Sequence, residues 1–189
     1  MIKHWLESHW VAGALFMGVA LLLLVPVVVA GNDRYVLLIY LASAVYMIHQ
    51  VEEHTGDRFR TYVNSKVFGG VEALTVGDVL WINLPGVWGV NLAALYAALF
   101  AGAGYGLAAP YLILVNGIAH LGMALRFRSY NPGLATGLLL FIPFGLASVV
   151  LIPAMAAQHA LGLAISFAIH AVIAIRAKLR ASAAAALAA

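Results

Sequence analysis

The stretch Tyr35-Val36-Leu37-Leu38-Ile39-Tyr40-Leu41-Ala42-Ser43-Ala44-Val45-Tyr46-Met47-Ile48-His49-Gln50-Val51-Glu52-Glu53-His54 is long and apolar enough to cross a bilayer as a helix, yet it ends in two imidazoles and two carboxylates. Ionisable groups at membrane depth are costly, so they usually mark a site. On a helix, His49 stands i,i+3 from Glu52 and i,i+4 from Glu53. One face can therefore offer an imidazole and a carboxylate to a metal ion or to a proton pathway. Spacing alone leaves both uses open.

Composition extends the membrane reading to the whole chain. Of 189 residues, 65% are hydrophobic and 9% charged, against roughly 25% charged in soluble domains. With no cysteine, disulfides, thiolate metal sites and cysteine nucleophiles are excluded, so any metal must be held by His, Asp, Glu, Asn or backbone oxygen. The net charge of +3 comes from basic residues scattered between apolar spans. It gives no nucleic-acid surface.

Apolar runs predict about six transmembrane spans, near residues 10–30, 35–54, 78–100, 107–126, 134–156 and 158–177. Val28-Val29-Ala30 resembles a signal cleavage site, but the preceding run is long and Glu7 interrupts its basic start, so a first span is expected. Gly31-Asn32-Asp33-Arg34 reads as a tight turn. Residues 55–77 form the one long polar connection, suited to an interfacial helix or an ordinary helical connector. Residues 181–189 are an alanine-rich, low-complexity tail after a single domain over 1–180.

Nine of the ten basic residues fall on one side of this topology; only Arg34 falls on the other. The expected fold is an all-α polytopic bundle with both termini cytoplasmic. In that frame His49, Glu53, Asn83, His120 and His170 lie a few residues from the cytoplasmic ends of their helices, at one depth in the inner leaflet. Asn116 and His120 share a face of the fourth span, as do Tyr46 and His49 of the second. Such clustering favours one cavity.

Each of these residues also has a structural use. His170 suits an interhelical hydrogen bond, Asn83 and Asn91 suit the carbonyls freed around Pro85-Gly86, and His54 and Asp57 are expected to be solvated. Arg126 and Arg128, before the Asn131-Pro132-Gly133 turn, can meet a lipid phosphate or mark the inner side. Glu52 and Glu53 need a partner in any reading.

The residues His49-Gln50-Val51-Glu52-Glu53 resemble the H-x-x-E-E motif of the HXXEE group of bacterial integral membrane proteins. Asn116-Gly117-Ile118-Ala119-His120, then Tyr130-Asn131-Pro132-Gly133 and Thr136, resemble that family's second block. The resemblance implies a bacterial cytoplasmic membrane location and one site containing His49, Glu52, Glu53, Asn116 and His120. It implies no activity.

Two functional classes follow. In the first, a metal-dependent membrane enzyme, His49, Glu52 or Glu53, and His120 bind zinc, or iron as a two-His-one-carboxylate set, and the second glutamate is the general base. Its substrate is a lipid or other small apolar molecule. Tyr46, Asn83, Asn116, Arg126, Asn131 and His170 complete its surroundings. A di-iron bundle needs about four carboxylates, more than lie at this depth. In the second class the same cluster is a proton or cation relay in a transporter, with Asn83-Leu84-Pro85-Gly86 as a helix break. Bis-histidine haem ligation ranks last, because it leaves both glutamates unexplained.

Overall fold

The structure is a computed structural model that describes residues 2–188, and side chains from 5 to 186. Among the described residues, six long helices carry the fold: α1 (Ile2–Leu23), α2 (Arg34–His54), α3 (Val76–Ala101), α4 (Ala108–Phe127), α5 (Leu134–Leu151) and α6 (Ala156–Ala188). By length and composition all six can cross a membrane. Their exposed surface is apolar, with Phe16, Leu23, Phe100, Leu139 and Val150 at least 74% accessible. The buried set instead includes His49, Gln50, Glu53, Asn83, Asn91, His120 and Asn131. Polar groups inside and apolar groups outside suit a bundle surrounded by lipid.

α2 is the central helix. It packs against α1, α3 and α4, while α4 also packs against α5 and α6. Asp33 caps α2 by accepting from the amides of Tyr35 (2.8 Å) and Val36 (2.9 Å), satisfying two of its first free N–H groups. Ala14 and Gly18 bring α1 close, and a Cβ on Gly18 would lie 3.3 Å from that of Met47, the small-residue contact favoured between membrane helices. The second and fourth spans thus meet as their polar faces require. α6 reaches the centre through α4 rather than by packing on α2.

α2 ends where Gly56 and Asp57 take positive φ of 67° and 59°, and the chain resumes as a short helix over residues 58–67. Asn64 then holds the return by accepting from the amides of Ala73 and Leu74 and donating to the Leu74 carbonyl. Thr75 and Asp78 form a capping box that starts α3. Pro85 interrupts α3 with a π-helical turn over Ile82–Trp88, since proline brings no N–H to the ladder. The turn after α4 closes through Gly133, at φ 95°.

Candidate metal centre

His49 and Glu53, one turn apart on α2, meet His120 of α4 in the interior, at 0%, 5% and 1% exposure. His49 Nε2 lies 3.4 Å from Glu53 Oε2, and His120 Nε2 lies 3.5 Å from Glu53 Oε1. One ligand atom from each of the three falls within 4.8 Å of the others. Atoms about 2.0–2.2 Å from one ion lie roughly 3–4 Å apart, so the His–Glu spacings are of coordination size. The group can hold a metal ion.

Hydrogen bonds around the trio fix where each ring carries its proton. Asn131 Nδ2 donates to the His120 carbonyl (2.9 Å), so Asn131 Oδ1 accepts from His120 Nδ1–H (2.6 Å). Thr136 donates its one hydroxyl proton to Glu52 Oε2, so its oxygen accepts from His49 Nδ1–H at 2.7 Å. When the rings are neutral, both Nε2 atoms therefore turn lone pairs toward a carboxylate, and His49 Nε2 has no hydrogen-bond partner. Acceptors facing acceptors in a buried space are unstable. A cation, either a metal ion or a proton, relieves them.

Glu52 does not join this group. Residues adjacent on a helix point about 100° apart, and Glu52 turns instead to the start of α5. Its carboxylate accepts from Tyr130 Oη (2.6 Å), the Ala135 amide (3.1 Å), and the Thr136 amide (2.7 Å) and hydroxyl. It acts as a helix cap supplied by another helix, and through Thr136 it orients His49. Glu52 therefore stands beside the site and not among the three residues that can share an ion. Partial burial and the bond to Glu52 push the Tyr130 hydroxyl up to about 12.

A cavity of about 110 Å³ adjoins the trio, bordered by Glu53 and His120 and by Tyr46, Asn116, Asn83 and His170. Asn116 donates to Tyr46 Oη (3.0 Å), and its own Oδ1 is buried without a partner. His170 Nδ1 pairs with the Ser166 carbonyl at 2.8 Å while the ring borders the cavity, so it serves packing and the site together. Asn131 lies under His120. Arg126 is outside the group: it is exposed at the end of α4, its guanidinium 5.6 Å from the Phe127 ring.

Several neighbours lay beyond the sequence reading. His54 is not solvated but 6% exposed, with Nε2 3.0 Å from Glu53 Oε2 and its ring against Trp10 of α1 and Phe59. Trp88 donates to Gln50 Oε1 (2.9 Å), and Gln50 donates to Asn83 Oδ1 (2.8 Å). That leaves Asn83 Nδ2 donating to the Val79 carbonyl (2.9 Å) and 3.2 Å from His54 Nε2. Gln50 and His54 share a face of α2 at i,i+4, the spacing that signals such a pair. Gly133 was legible only as a turn residue. A Cβ there would lie 2.8 Å from His49 Cε1 and 2.9 Å from His120 Nε2, so glycine lets the turn close over both rings.

No curated protein and no solved structure matches the chain. A family model, described as a protein of unknown function with HXXEE motif, matches residues 40–148, more than half of the chain. That segment carries His49, Glu53 and His120 together with the Asn131 and Thr136 that orient the two rings, and the chain belongs to the HXXEE family.

Proposed function

We propose that the protein is a metal-dependent membrane enzyme acting on a lipid or similarly apolar substrate, with His49, Glu53 and His120 as the ligands of one zinc or iron ion. The observation that carries this reading is the pair of Nε2 lone pairs held against the Glu53 carboxylate by second hydrogen bonds to Thr136 and Asn131. Metal-bound imidazoles are oriented in this way by partners on their other nitrogen. Three protein ligands leave a coordination position for water or substrate, and the ion would supply Lewis acidity there. Asn116 Oδ1 offers an unused acceptor to a substrate hydroxyl or amide. We place the site in the cytoplasmic half of a bacterial inner membrane with both termini inside, on the distribution of basic residues.

The test is incubation of the detergent-purified protein with a bacterial lipid extract, followed by mass spectrometry. Conversion by wild type that is lost with chelator and restored by zinc or ferrous iron, and that is absent in Glu53→Gln, supports the enzyme. A second reading rests on the same lone pairs, because protons can also fill the gaps, and His54 extends the imidazole chain beyond Glu53. Unchanged lipids together with Glu53-dependent ion or proton uptake into proteoliposomes favours that relay.

A further inference from the structure

Between α3 and α6 runs a second, larger groove of about 560 Å³, within the roughly 300–1,000 Å³ of ligand sites. Its walls are apolar, including Trp81, Ile82, Ala168, Ile169 and Val172, and its polar lining is Asp78, Arg176 and Arg180. Arg176 and Arg180, one turn apart on α6, donate to Asp78 Oδ1 (3.1 Å) and Oδ2 (2.7 Å). The three charges sum to +1. The arginine side chains remain 68% and 44% exposed, and each guanidinium has five donors, so most are available to a further anion. Leu74, Ile82, Ile169 and Ile173 border both this groove and the cavity beside the metal centre. The two spaces stand back to back across four side chains.

We propose that this groove binds one anionic phospholipid, its phosphate on Arg176 and Arg180 and an acyl chain along α3 and α6, and that it delivers this lipid to the metal centre. The second clause rests on the functional reading above; the binding does not. A phosphate needs the net cation, and a soluble phosphate would leave the apolar walls uncovered, which selects a lipid as the occupant. Depth narrows the chemistry. Asn83 lies five residues into α3 from Asp78, and His170 six residues before Arg176, and both border the inner cavity. At ~1.5 Å per residue the cavity beside the centre sits about 8 Å deeper than the residues that would hold the phosphate. That distance matches the ester linkages or first acyl carbons of the lipid, which would be the bonds presented for reaction.

The experiment uses the full chain in detergent and counts retained lipid by native mass spectrometry. The probes are phosphatidylglycerol and phosphatidylcholine with identical acyl chains. Wild type is expected to prefer phosphatidylglycerol by about fivefold, the effect of one net surface cation. Arg176→Gln/Arg180→Gln should lose the preference. Ala168→Trp, which fills the groove and keeps its charges, should lose retention, and both variants should keep the metal content of wild type. Equal retention of the two lipids by wild type, an unchanged preference in the arginine variant, or displacement by glycerol 3-phosphate would overturn the site. Selective lipid in a metal-free wild type would uphold the groove and refute the enzyme reading; bound metal without lipid preference would do the reverse.

Discussion

Exchanging either adjacent glutamate for glutamine should give opposite phenotypes. In Glu52→Gln, one carboxylate oxygen becomes an NH₂ group, so either the pair of donors from Thr136 or the pair from Tyr130 and Ala135 loses its acceptor. Bonds to a charged acceptor are worth roughly 1.5–3 kcal/mol each, and a carboxylate at a helix N-terminus about 0.3–1 kcal/mol more. Glu52 is only partly buried, so solvent replaces some of this, and about 1–3 kcal/mol is the expected loss. For a chain of this size that lowers Tm by roughly 3–10 °C. In Glu53→Gln the buried anion disappears and the proposed metal loses a ligand. With chelator present, an uncompensated buried carboxylate is replaced by an amide that can donate to an Nε2 lone pair, so folding should be unharmed or slightly improved, while metal affinity collapses. The assay is thermal unfolding in detergent with chelator, beside metal content without it. Equal destabilisation of both variants with unchanged metal content would refute the division of labour and leave the pair as a structural network.

Further consequences are accessible to the same measurements. Gly133→Ala places a methyl against His49 and His120 at a φ of 95°, and should cost about 1–3 kcal/mol and weaken metal binding. Asn131→Ala frees His120 to turn or change tautomer, so metal affinity should fall by about 10–100-fold with the ligands intact. The Tyr130 bond to Glu52 needs the phenol protonated. With a folded value of about 12 against 10.0 ordinarily, its contribution is complete below pH 10 and is lost as pH rises toward 12, and Tyr130→Phe should abolish that alkaline step in stability. Reporter fusions at both termini should report cytoplasm; an external C-terminus would refute the charge-based orientation.

The helices were legible because length and apolarity are local properties: the span expected over 35–54 is seen as Arg34–His54, and the turn before it is capped by Asp33. The meeting of His49 with His120 followed from shared depth and helical faces. The choice between Glu52 and Glu53 did not, since 100° of rotation has meaning only once the bundle interior is known. His54 lay close to Arg58 and read as solvated, yet Trp10, more than forty residues away, covers it. Likewise, Asn83 suited both the proline kink beside it and the surroundings of the site; its bond to Val79 is local, whereas its link to Gln50 crosses between helices. Long-range packing decides these roles; local spacing shows only which residues share a helical face.

Elemental analysis of the detergent-purified full chain, wild type beside Glu53→Gln, tests the metal centre most directly. About one zinc or iron per chain in wild type, and none in the variant at unchanged thermal stability with chelator, is the expected result. A wild-type protein that carries no transition metal, and takes none up when zinc or ferrous iron is supplied, would contradict it and leave protons between the imidazoles and Glu53.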